Sequence, residues 1–188
     1  MRRRVCAVVL AAIVGNTRLA VADWLLVPFA GVSGRTETGF PDLDGVVPGA
    51  RSSYGAGLTF VPEWVVGGEA EVAWTPSLFT GGDLVESSRV ITATGGLVVT
   101  LPKRWSPFVR PYVTLGAGFV HVAIKDIAGI FPVDATRGVT SASAGAWIPI
   151  SSRIGARASV RYLHGGSASA PNRFKTWQAA GGMTVQVW

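Results

Sequence analysis

The stretch PFVRPYVTLGAGFVHVAIKD, from Pro107 to Asp126, decides the fold. Val109, Val113, Leu115, Ala117 and Phe119 share one side of it, and Arg110, Tyr112, Thr114, Gly116 and Gly118 share the other. A repeat of two residues is the period of a β-strand. A strand with one wholly apolar face and one small, polar or charged face separates two media, and the apolar face is predicted to meet lipid.

Outward from this stretch the chain is apolar, with 48% hydrophobic residues, but no apolar run is long. After the N-terminal segment the longest uncharged stretch, Gly138 to Ser152, has fifteen residues and carries several Ser and Thr. A spanning helix needs roughly 20 apolar residues. High hydropathy without such a run is what alternating segments produce, and lipid accepts only helices or closed barrels. The fold class predicted is all-β: an eight-stranded antiparallel up-and-down transmembrane β-barrel.

The N-terminus reads as a secretory signal peptide over residues 1–22, leaving one barrel domain over 23–188. Met1 to Arg4 is basic, Val5 to Gly15 is apolar, and Ala20-Val21-Ala22 supplies small residues before Asp23. Removing this segment takes away four of the 17 basic residues, so 13 remain against 11 acidic ones and the charge drops from +6 to +2. No basic patch of the kind that binds nucleic acid is left. Cys6 lies in the same segment, so the mature chain has no thiol for disulfide or redox chemistry.

Alternation between turn signals predicts eight strands near Trp24–Gly31, Ser52–Val61, Val65–Thr75, Arg89–Leu101, Phe108–Lys125, Gly138–Ile150, Ile154–Leu163 and Thr176–Trp188. Short connections at Pro62–Trp64, Pro102–Pro107 and Ser151–Arg153 alternate with long ones at Val32–Ala50, Thr80–Ser87, Asp126–Arg137 and His164–Lys175. Short periplasmic turns and long outer loops are expected of an outer-membrane barrel. Pro28, inside the first strand, predicts a local bulge.

Trp24, Trp64, Trp105, Trp147 and Trp188 recur at intervals of 40, 41, 42 and 41 residues, each near a chain end or a short turn. They are predicted to form the periplasmic aromatic girdle. Trp74, Phe79, Phe119, Phe131, Tyr162, Phe174 and Trp177 are candidates for the opposite one. A period near 41 also suits a propeller blade, but the Trp-Asp and Gly-His signatures are absent.

Parity also sorts the charges. Glu69 and Glu71 fall on the lumen side of the third strand, Arg110 on that of the fifth, and Arg157 and Arg161 on that of the seventh. Unpaired buried charge is costly, so these five residues are expected to form an ion-pair cluster that plugs the lumen. A soluble exported barrel with an apolar interior would reverse the faces, which the parity of the arginines opposes.

The segments RPYVTLGAG at Arg110–Gly118 and VRYLHG at Val160–Gly165, with an aromatic last residue, resemble the small eight-stranded outer-membrane barrels of the OmpA/OmpX type, often labelled outer-membrane β-barrel domain or porin-like. The resemblance covers Asp23 to Trp188. It implies residence in the outer membrane of a Gram-negative-type bacterium, contact with its lipids and lipopolysaccharide, and insertion by the barrel assembly machinery. Trp188 departs from the pattern in being out of phase with Val187, Val185 and Met183. The expected role is non-enzymatic: a monomer without cofactor that supports the membrane or presents its long loops to partners. A narrow ion-conducting pore is an alternative.

A second alternative is an acyl hydrolase acting on lipid A. His164 precedes Gly165, Gly166 and Ser167, with Pro171-Asn172 beyond, and this looks partly like the outer-membrane lipid A deacylases, which use His, Ser and an acid in that region. The spacing here is His-x-x-Ser against that family's His-x-Ser, and no Asp or Glu follows Asp134, so catalytic residues are predicted to be none. His121 falls on the lipid side near the outer rim. Asp42 and Asp44 have the spacing of a calcium-loop fragment without its remaining ligands, and no metal site is predicted.

Overall fold

The computed structural model describes residues 23–38, 50–61, 65–76, 85–102, 105–106, 108–126, 133–166 and 174–187. Eight strands follow in chain order: β1 (Asp23–Thr38), β2 (Arg51–Val61), β3 (Val66–Pro76), β4 (Val85–Thr100), β5 (Arg110–Asp126), β6 (Val133–Pro149), β7 (Ile154–Gly165) and β8 (Phe174–Gln186). Each pairs antiparallel with the next, and β1 pairs antiparallel with β8, which closes the barrel. Closure leaves no free edge, so every strand has neighbours on both sides for its backbone groups. The fold predicted from alternation is the fold observed.

Even the shortest strands, β2 and β3, have 11 residues. A tilted strand crosses a bilayer with roughly 9–11. No helix among the described residues is long and apolar enough to do so.

The two faces divide as their parity requires. On β5, Val113, Leu115 and Phe119 point outward, with Leu115 66% exposed beside its β4 partner Leu97 at 65%, whereas Tyr112 and Thr114 are buried. Val72 and Trp74 on β3, Val160 on β7 and Met183 on β8 continue the outward apolar band. Ser53, Thr59, Thr100, Ser143, Gln178 and Thr184 line the inside. Water would penalise an apolar surface of this extent, and lipid does not.

The ends of several strands differ from expectation. β1 continues to Thr38, past Gly31; β4 begins at Val85, before Arg89; and β6 begins at Val133, before Gly138. These extensions all lie toward the long loops. Beyond the apolar band nothing selects greasy residues on one face, so alternation fades there while the hydrogen-bonded ladder continues.

Pro28 produces no bulge. The β1/β8 ladder lacks partners at Val27 and Pro28 but resumes at Phe29↔Gly182 in the register of Leu26↔Val185, and β1/β2 pairing passes Pro28↔Ala56 without a shift. A proline removes one N–H, and intact pairing on either side holds the register. The shift in β1 comes later, between Gly34 and Glu37.

Candidate functional site in the barrel lumen

Glu69 and Glu71 are two residues apart on β3, and Arg157 and Arg161 four apart on β7, so each pair shares one face of its strand. In the closed order β1 to β8 the strands β3 and β7 lie half a turn apart, so the two pairs face each other across the lumen. Small neighbours make room for them. Gly57 and Thr94 flank Glu71, Thr59 and Gly96 flank Glu69, and Gly182 sits beside Arg157.

The four side chains meet. Arg161 Nη2 lies 2.7 Å from Glu69 Oε1 and 2.8 Å from Glu71 Oε2, and its Nη1 pairs with Glu71 Oε1, so Arg161 grips Glu71 with both arms of its guanidinium. Arg157 Nη2 lies 2.8 Å from Glu69 Oε2 and 3.6 Å from Glu71 Oε2. None of the four side chains is more than 7% exposed. Two carboxylates and two guanidiniums cancel, and paired N–H···O bonds of this kind are the strong ones. The planar fork of arginine suits this bridging role; lysine offers only a point charge.

Neighbouring groups complete the shell. Thr59 Oγ1 donates to Glu69 Oε2 at 3.4 Å, and Arg161 Nη1 donates to Thr94 Oγ1 at 3.2 Å. Arg157 Nε donates to the Tyr112 hydroxyl at 2.6 Å, with the guanidinium carbon 5.0 Å from the centre of the Tyr112 ring. Neither Arg157 Nη1 nor Nη2 makes a hydrogen bond among the described residues, Nη2 meeting the carboxylates as an ion pair, so Arg161 is the better satisfied of the two cations.

Below the charges, toward the short turns, Tyr112 stacks on Trp147 at 4.1 Å and 16°. Val61 and Val98 pack with them, and Leu25 joins from the side. Tyr112 lies over its β6 partner Gly145, where an added Cβ would come 2.6 Å from the tyrosine oxygen, so glycine is what admits the ring. Toward the long loops Gln178 Nε2 donates to Ser53 Oγ at 3.0 Å, and Val120, Val139 and Leu163 are buried. The lumen is thus filled in layers.

Three expectations for the site are corrected here. Trp147 does not belong to the outer girdle: it is 5% exposed and turned into the lumen. Its parity is that of Ser141, Ser143 and Gly145, all of them on the inner face, and parity overrides a 41-residue interval. Phe174, at 5% exposure, is likewise turned inward and not part of an outer belt. Arg110 stands at the start of β5, opposite Trp147, with its Nε donating to Leu101 O at 3.4 Å. The aromatic layer of Tyr112 and Trp147 lies between it and the four charges, because Tyr112 occupies the next inward position of the strand.

Of the remaining rim aromatics, Trp24 is outward and 5.1 Å from Phe60, and Trp105 is 68% exposed in the β4–β5 connection. Trp64 and Trp188 lie outside the described residues, as do Phe79 and Phe131. At the other rim Trp177 packs 4.8 Å from Tyr162, and Trp74 6.4 Å from Tyr54.

His164 has outward parity on β7, between buried Leu163 and Gly165, with its ring 6.4 Å from Tyr162. Ser167, Pro171 and Asn172 lie outside the described residues, and so do Asp42 and Asp44. His121 Nδ1 is 3.0 Å from Thr136 Oγ1 and 3.7 Å from the Asp134 carboxylate. No group of three or more His, Cys, Asp or Glu suited to a metal occurs among the described residues.

No protein-family model and no curated protein matches the chain. Solved structures do. Neisserial surface protein A superposes with a TM-score of 0.65 at 10% identity, covering 88% of this chain and 98% of that one. The fold is that of the small eight-stranded outer-membrane β-barrels. Ail, the attachment invasion locus protein of Yersinia pestis, gives 0.54 at 16% identity over 87% and 97%. The outer membrane enzyme PagL gives 0.53 at 14% over 87% and 99%. One architecture thus carries an enzyme as well as surface proteins, and chemistry has to be argued from the residues of this chain.

Proposed function

We propose that this chain is an integral outer-membrane protein of a Gram-negative-type bacterium, exported by the signal peptide Met1–Ala22 and matured at Asp23. The observation that carries this reading is the outward apolar band around a lumen whose charges are buried and mutually neutralised. The faces suit lipid outside and a filled core inside, the reverse of a soluble ligand-binding barrel. Insertion would fall to the barrel assembly machinery, and the outer band would meet membrane lipids and lipopolysaccharide as a monomer. Trp24 and Trp105 would anchor the short-turn rim at headgroup depth.

The role within this reading is non-enzymatic: a plugged scaffold whose long loops contact partners. The outward parity of His164, with its ring beside Tyr162, supports an interfacial side chain over a general base.

Cell fractionation tests the reading. The protein is expected to remain in the outer-membrane pellet through urea and carbonate washes and to migrate differently boiled and unboiled on a gel. Recovery in the soluble periplasmic fraction without detergent would overturn it.

The filled lumen leads to a second expected result. An eight-stranded barrel has an interior just wide enough for side chains to fill. Protein reconstituted in planar bilayers is therefore expected to show little conductance, and stable large ohmic channels would contradict a plugged barrel.

A further inference from the structure

Beneath the Tyr112–Trp147 layer the short-turn mouth holds a cavity of about 130 Å³. That is about ten times the roughly 10–15 Å³ that one water centre occupies. Arg110, Trp147, Ser152, Arg153, Thr184 and Gln186 are among the residues that line it, and no Asp or Glu among the described residues does. We propose that this mouth is a binding site for a phosphate group.

Three features converge on that chemistry. First, the wall carries two guanidiniums and no acid among its described residues, so it attracts an oxyanion and repels a cation. Arg110 is oriented by donation of Nε to Leu101 O at 3.4 Å. Arg153 is fixed through its backbone, where its carbonyl accepts from Gln186 N at 2.8 Å and its N–H donates to Ser151 Oγ at 3.4 Å.

Second, the indole Nε1 of Trp147 is buried without a hydrogen-bond partner among the described residues, on a side chain that is 5% exposed. An indole N–H only donates, so what is missing is an acceptor, and a buried donor left unsatisfied is costly. Third, hydroxyl and amide groups from Ser152, Thr184 and Gln186 add neutral donors around the same space. A tetrahedral oxyanion offers acceptors in several directions at once, which matches two forked cations and an indole better than a planar neutral ligand would.

Two sources supply this group: free phosphate in solution, and the headgroup of a phospholipid at the rim. Which compartment the mouth faces rests on the function proposed above. Binding does not rest on it, because a micelle leaves both mouths open.

The test uses the barrel in dodecyl maltoside, a detergent without phosphate, and follows the indole N–H resonance of Trp147, assigned by its loss in Trp147→Phe. One arm titrates inorganic phosphate at constant ionic strength against chloride. The other adds short-chain phosphatidylglycerol without free phosphate. A saturable shift in either arm is expected, the responding arm identifying the source. Arg153→Gln, at an exposed turn position that does not endanger folding, is expected to weaken binding about tenfold, and Arg110→Gln at least as much. No saturable shift in either arm, or an unchanged affinity in Arg153→Gln, would overturn the proposal.

Discussion

Glu69→Ala is expected to destabilise the barrel by about 3–5 kcal/mol, the usual cost of removing one member of a buried pair. Glu69 Oε1 accepts from Arg161 and Glu69 Oε2 faces Arg157, so its loss weakens both cations at once and leaves two positive charges against Glu71 alone. Arg161→Ala is expected to be at least as damaging, because Arg161 grips Glu71 with both nitrogens and also reaches Thr94.

Urea unfolding midpoints in detergent measure the effects. The Glu69→Ala/Arg157→Ala double variant is expected to lose clearly less than the sum of its parts, since the second truncation removes a charge that the first left uncompensated. The Glu69→Ala/Arg110→Ala combination is expected to be close to additive, because the Tyr112–Trp147 layer separates Arg110 from the carboxylates. Additivity in the Glu69/Arg157 cycle would show that the pairs carry no coupling energy.

Trp147→Ala is the second large effect, about 3–5 kcal/mol for deleting a large buried aromatic. The indole stacks on Tyr112, which in turn holds Arg157, so the deletion opens a void next to the charged layer and loosens it. Trp147→Phe keeps a ring in the stack and is expected to retain most of the stability. Trp24→Ala provides the contrast, because Trp24 is 38% exposed on the outer face and its loss leaves no internal cavity. The same denaturation assay reads all three; a Trp24→Ala effect equal to that of Trp147→Ala would mean that Trp147 is not a lumen residue.

Much of the site was legible because a strand has only two faces. The alternation around Leu115 and Thr114 assigns β5, and the same parity places Glu69, Glu71, Arg157 and Arg161 inside, where all four are buried. Trp147 shows the rule working against a weaker cue. Its interval from Trp105 suggested a girdle, but SASAGAWI from Ser141 to Ile148 alternates Ser, Ser, Gly, Trp against Ala, Ala, Ala, Ile, and that alternation already turned the indole inward.

The sequence by itself determined the strands, their faces and their up-and-down order, because a period of two and a short hairpin are local properties. It also placed Glu69, Glu71 and several basic side chains on the inner face, where they had to compensate one another. Only the tertiary structure decided who meets whom. The opposition of β3 and β7 across the lumen follows from closure of β1 on β8, a contact between the chain's two ends. Closure set Arg157 and Arg161 against the glutamates and left Arg110 below the aromatic layer, because depth along the barrel depends on register summed around the whole ring, which no local pattern carries.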